Sequence, residues 1–274
     1  MAALLGAHVT LCAVLGGESG RVLRGLIEAE HVALDAVPGA EANAAYVHDR
    51  RGGERTPIAE EPSLSRHETD ALYGLALSAG LHADAALLTG SADPAVIDAA
   101  FYERLAGDLR SNGTIVTADL SGDQLRAALA GGVDVVKISD DRIVTDGYAV
   151  SQHERDLVAG LAQLRQAGAR NALVSRAGNP ALAMLDDRVV KLAGPELDAL
   201  DSRGAGDSQS AAIAVGLARG STIEAALRLG MAAGAVNVTR RGPGSGERFA
   251  IERLFDHIEI HDHQPGPEAD SGAR

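Results

Sequence analysis

The sequence predicts an α/β protein whose mainly parallel sheet is covered by helices on both faces. Continuous Val/Ile/Leu runs alternate with helical patterns through most of the 274 residues, the rhythm of a doubly covered parallel sheet. Aromatic residues make up 3% and Trp is absent, while small Ala and Gly are abundant, which suits close packing of helices on a sheet. Polar residues also collect where the apolar runs end, and ligands of open parallel sheets sit beyond the carboxyl ends of strands.

Taken in order, His8–Leu15 reads as a strand and Glu18–Glu30 as a helix with Val22, Leu23, Leu26 and Ile27 on one face. Val32–Val37, Asn43–Asp49 and Arg55–Ala59 read as short strands between Pro38-Gly39 and Arg51-Gly52-Gly53 turns. Ser65–Ala79 is a helix, with Ser65 as N-cap and Glu68 three residues on in the pattern of a capping box. Strands at Ala85–Thr89, Thr114–Asp119, Val133–Ile138 and Asn171–Ser175 then alternate with helices near Pro94–Arg110, Gly122–Ala130 and Ser151–Ala167. A hairpin of Ala181–Leu185 with Arg188–Leu192 turns at Asp186-Asp187. Helices return at Asp207–Ala218, Thr222–Val238 and Glu247–Phe255, and the tail from Gln264 has the composition of a disordered end. Residues 1–263 are thus expected to form a single domain.

The formal net charge of −13 argues against nucleic acid and against an anionic membrane surface as partners. Cys12 is the only cysteine, so an intramolecular disulfide is excluded; it reads as a buried strand residue. Ala2–Leu15 lacks a basic leader and is broken by Gly6, His8 and Thr10, which points to a cytoplasmic protein.

Asp201-Ser202-Arg203-Gly204-Ala205-Gly206-Asp207 carries the chemistry. A Gly-Ala-Gly turn opening into a helix aims backbone N–H groups at an anion, reinforced by the helix dipole. An acid at its end can take a proton from a hydroxyl while the amides neutralise a transferring phosphoryl group. Acids in a first turn also serve as caps, so Asp207 alone leaves both readings open. Other patterns fail: no Walker-type phosphate loop occurs, and Gly16–Gly20 lacks dinucleotide-binding spacing and reads as a tight strand–helix turn. His257, His261, Asp262 and His263 read as a solvated polar terminus.

The segment Asp201–Gly220 resembles the signature of the PfkB/ribokinase-like carbohydrate kinases, D-x-x-G-A-G-D before a helix. The resemblance runs from about Leu5 to Ile260. It takes in Leu88-Thr89-Gly90-Ser91, Asp119-Leu120-Ser121-Gly122, Val136-Lys137-Ile138-Ser139 and Val174-Ser175-Arg176-Ala177-Gly178. Ala232–Arg240 is similar to the phosphofructokinase and tagatose-phosphate kinase branch. The resemblance implies a ribokinase-like fold, with the strands between Val32 and Ala59 as a reduced β-lid over the sugar. Because that lid often mediates dimers, a homodimer is among the expected assemblies. It implies ATP with Mg²⁺ as cofactors and a sugar or sugar phosphate as acceptor. Asp207 would be the base, and Gly204, Ala205 and Gly206 the anion hole. Lys137 and Ser139 would lie near the nucleotide phosphates, with Ser175, Arg176 and Gly178 bordering ribose and phosphates. Met231 and Ala235 would line the adenine, Ser91 would contact the substrate, and Asp119 would hold metal-bound water.

Two departures accompany the resemblance. The chain is expected to begin after the family's opening strand, first lid strands and Gly-rich sugar-contacting segment. The family's N-x-x-E motif is here Ser139-Asp140-Asp141-Arg142, which reverses the sign at the Glu position. Two readings therefore stand: a working kinase, or a truncated or non-catalytic relative that binds nucleotide and acts in regulation or interaction.

Overall fold

The computed structural model describes residues 1–48, 55–90, 93, 95–186 and 188–264. The turn expected at Arg51–Gly53, the substrate residue Ser91, Pro94, Asp187 of the hairpin turn and the tail beyond Gln264 lie outside the described residues.

Four parallel strands form the middle and one side of a seven-stranded sheet: β5 (Ala85–Thr89), β6 (Ile115–Asp119), β7 (Val133–Ser139) and β8 (Ala169–Ser175). β9 (Ala181–Leu185), β10 (Arg188–Ala193) and β11 (Glu259–Asp262) extend it antiparallel, so the order is β11-β10-β9-β8-β7-β6-β5. The period of two along β7 separates two cores. Val136 and Ile138 pack with Leu125, Leu157 and Leu161 on one face, whereas Val135 joins Leu173, Ile213 and Leu227 on the other. The first face is covered by α3 (Ala99–Ser111), α4 (Gly122–Gly131) and α6 (Glu154–Gln166). The second is covered by α7 (Ala205–Ala218) and α8 (Ile223–Val238), which pack along one another. Their approach depends on small residues: a Cβ on Gly230 would stand 3.0 Å from the Gln209 carbonyl oxygen. A third cluster seats Leu5, 2% exposed, against α7, α8 and α9 (Arg248–Phe255). Each fully buried Leu in these cores contributes about 1.5–3 kcal/mol of transfer free energy.

The N-terminal part stands apart from that sheet. β1 (Thr10–Gly16) and β2 (Ala33–Gly39) pair in parallel across α1 (Gly17–Ala29), and β3 (Ala45–His48) pairs antiparallel with β4 (Arg55–Ala59). Among the described residues neither the outer edge of β1 nor that of β5 has a ladder partner. The Arg66–Leu81 helix, α2, packs on β1, β2 and α3 and so joins the two parts. Its capping box is present: Ser65 Oγ accepts from the Glu68 N–H, and the Glu68 carboxylate accepts from the Ser65 N–H.

Several expectations are corrected. Of the α1 stripe, Val22 and Leu26 are 62% and 59% exposed, because the helix packs chiefly on β1 and β2 and no described element covers its outer side. β2, expected beside the lid strands, is the parallel partner of β1. Cys12 is half-buried, its thiol pushed up by burial and by Asp35. The helix expected from Pro94 starts at Ala99, where the Asp98 carboxylate accepts from the Ala100 N–H. The polar His257–His263 stretch includes an edge strand, β11, paired with β10, and His263 is largely buried beside Glu154. A short helix, α5 (Asp140–Thr145), follows β7 directly.

Candidate active site

The loop into α7 is held from three directions. Gly204, the N-cap, has a left-handed backbone (φ 75°), and a Cβ there would lie 2.6 Å from the Pro243 Cα; glycine alone meets both conditions without strain. The Asp201 carboxylate takes two hydrogen bonds from the Arg203 guanidinium, from Nε (2.8 Å) and Nη2 (2.5 Å), which hold its pKa well below the usual carboxylate range. From α8, Asn237, fully buried, donates through Nδ2 to the Arg203 carbonyl (2.8 Å) and accepts from Ser208 Oγ (3.2 Å). The Leu200 and Asp201 N–H groups donate to the Val238 carbonyl at 2.8 and 3.1 Å. Asp207 lies in the first turn of α7 and is exposed.

Opposite that helix start lies the end of the parallel strands. Lys137, 7% exposed on β7, places its Nζ 3.2 Å from Asp119 Oδ2 at the end of β6. Ser210, one turn into α7, donates to the same oxygen at 2.6 Å. A Cβ on Gly206 would stand 2.6 Å from Lys137 Nζ. Glycine at 206 lets the ammonium approach this closely, whereas a Cβ there would oblige the lysine tip to shift. An ammonium facing a helix N-terminus suits a phosphate, since both present N–H donors and positive charge. A cleft of about 250 Å³ adjoins it, lined by Gly90, Asp119, Ser121, Lys137, Ser139 and Arg142 among others.

The expected site residues divide into groups. Asp119, Lys137, Gly204, Ala205, Gly206 and Asp207 converge around the start of α7. Ser139 and Ser175 are ladder partners at the ends of β7 and β8. The Ser139 hydroxyl holds the Asp141 carboxyl below its ordinary pKa, and Ser175 Oγ donates to the Ile138 carbonyl at 3.4 Å. Arg176 turns elsewhere, 3.6 Å from Glu154 and donating to the Pro180 carbonyl at 3.4 Å. Gly178 is left-handed at φ 72° in the turn that follows. Met231 and Ala235 are half-buried on α8, and Gln209 Nε2 donates to Met231 Sδ at 2.9 Å. Ser210, Asn237 and Gln124 were not singled out as site residues from the sequence. A polar residue within an apolar helix is the one signal that could have flagged Ser210 and Asn237. No described helix is long and apolar enough to cross a membrane.

A family model described as pfkB family carbohydrate kinase matches residues 1–249. The ATP-dependent 6-phosphofructokinase isozyme 2 of Mycobacterium tuberculosis is 28% identical over 261 residues, spanning 92% of this chain and 75% of its own. The tagatose-6-phosphate kinase of Staphylococcus epidermidis is 25% identical over 262 residues, 93% of this chain and 83% of that one. Phosphofructokinase-2 from Escherichia coli, in complex with potassium, superposes with a TM-score of 0.81 at 22% identity, over 93% of this chain and 84% of that one. A phosphofructokinase-like protein from Staphylococcus aureus gives 0.80 at 19% identity, over 97% and 85%. These likenesses share the ribokinase-like fold: a mostly parallel sheet flanked by helices.

Proposed function

The chain belongs to the pfkB family of carbohydrate kinases, and from that premise we propose that it transfers a phosphoryl group from ATP to a hydroxyl of a sugar or sugar phosphate, in the manner of a phosphofructokinase. The observation that carries this reading is the junction of Gly206, Lys137 and Asp119 at the start of α7. When bound, ATP with Mg²⁺ supplies the phosphoryl group and divalent charge, with Asp119 as the carboxylate that would hold a metal-bound water.

The chain's own residues do the rest. Asp207 takes the proton of the attacking hydroxyl, which its exposed place in the first turn allows. The amides of Gly204, Ala205 and Gly206 meet negative charge as it develops, held in advance by Asn237 and by the Asp201–Arg203 pair. Lys137 and Ser139 bind phosphate oxygens, Ser175 and Gly178 border the ribose with the Arg176 backbone between them, its side chain being turned to Glu154, and Met231 and Ala235 flank the base. Ser91 is assigned to the acceptor.

The test is a coupled ADP-release assay on the purified chain with Mg·ATP. Acceptors are fructose 6-phosphate, fructose 1-phosphate, tagatose 6-phosphate and free hexoses. Asp207→Ala is expected to lower kcat by about 10²- to 10⁴-fold while leaving ATP affinity nearly unchanged, because the base acts in the transition state. Parallel loss of ATP binding and rate would remove Asp207 from that role. Silence of the folded wild type on every acceptor would overturn the kinase reading.

A further inference from the structure

Arg142 is a charged group that the catalytic assignment leaves without a task. It is the third residue of α5, and although exposed it lines the same cleft as Asp119, Lys137 and Ser139. Its Nη1 donates to Ser121 Oγ at 2.9 Å, so the guanidinium leans across the cleft toward the β6–α4 connection. The other charges lining the cleft are Asp119 and Lys137, which neutralise one another at 3.2 Å. The acids nearby keep their charge but do not line the cleft. Asp141 is held by the Ser139 hydroxyl, with Arg142 a smaller influence. Asp140 accepts from the Asp141 N–H, Asp146 accepts from the Gly122 N–H, and Asp123 pairs with Arg126 at 2.9 Å. The cleft lining thus has an excess of one positive charge, carried on a planar group with five N–H donors of which Ser121 engages one.

We propose that Arg142 binds a phosphate of the nucleotide in this cleft and supplies, as a fixed side chain, part of the charge that a divalent cation otherwise provides. This rests on the kinase reading, which puts the nucleotide phosphates beside Lys137 and Ser139, the residues leading into α5. The consequence is nucleotide binding that survives removal of magnesium.

Isothermal titration of wild type, Arg142→Gln and Arg142→Lys separates the possibilities. The probes are ATP in EDTA, ATP with Mg²⁺, inorganic tripolyphosphate and fructose 6-phosphate. Wild type is expected to bind ATP in EDTA, and Arg142→Gln to weaken that binding on the order of tenfold, as loss of a charge-assisted hydrogen bond implies. The loss should recur with tripolyphosphate, shrink with Mg²⁺, recover in part in Arg142→Lys, and be absent with fructose 6-phosphate. Matching melting temperatures establish that the variants fold. Equal ATP affinity of wild type and Arg142→Gln in EDTA would overturn the proposal, as would wild-type binding that needs magnesium, or a loss confined to fructose 6-phosphate. These outcomes leave the kinase reading standing; failure of folded wild type to bind ATP under any condition would remove both.

Discussion

Asp201 and Arg203 show how much a single pair can govern. Their double hydrogen bond keeps the Asp201 carboxyl well below its ordinary value, the guanidinium being the main cause. A depressed folded-state pKa means that the pair's stabilisation is fully present above the ordinary carboxylate value of about 4. It is lost as pH falls from there toward the folded value. Melting temperatures followed downward from neutral pH should therefore fall more steeply below pH 4 in wild type than in Asp201→Asn; parallel curves would remove the pair from acid stability. The sequence made the Gly-Ala-Gly-Asp turn plain, because glycines and an acid at a helix start are local signals. What fixes the turn was not legible. Asn237 lies 34 residues from the Arg203 carbonyl it meets, and Ser210 lies 91 from Asp119. Pairs so distant in the chain follow from packing, which no local spacing reveals.

At the scale of elements, α8 is the support of the α7 start. Asn237 satisfies one group on each side of Gly204, the Arg203 carbonyl and the Ser208 hydroxyl. Asn237→Leu leaves both unpaired in a fully buried position. It is expected to cost about 1–3 kcal/mol per orphaned group, read as a lowered denaturant midpoint. An unchanged midpoint would mean that the Val238 carbonyl, Pro243 and the Asp201–Arg203 pair suffice to hold the loop. Long periodic helices and apolar central strands were legible within a few residues, since burial imposes their pattern. α5 and β11 were not. Six helical residues span too few turns to show a stripe, and Glu259-Ile260-His261-Asp262 is a polar edge strand with almost no alternation. The α1 stripe teaches the converse: a period of 3.6 marks an apolar face but does not say that anything covers it.

Across the whole molecule, stability is unevenly distributed. From Thr10 to Gly39 the buried apolar side chain is Val37, whereas β7 and β8 are buried along most of their length. Amide hydrogen exchange should show β1 and β2 opening at a lower free energy than β6, β7 and β8, as fewer buried contacts must break. Identical protection in both sheets would indicate a single cooperative unit. The overall α/β class was readable from rhythm and composition alone, but the division into separate sheets depends on which strand edges meet, and periodicity is silent on that.

That division has a mechanical side. A continuous sheet passes displacement from strand to strand through its hydrogen bonds, but among the described residues no ladder joins β1 to β5. Tilting the β1–β2 unit on α2 therefore strains side-chain packing and the hydrogen bond from the Ala40 N–H to the Glu68 carboxylate, but no strand ladder. Lys137, Asp119 and Gly206 belong to the seven-stranded sheet and the helix packed on it, so their spacings do not depend on a ladder to the β1–β2 unit.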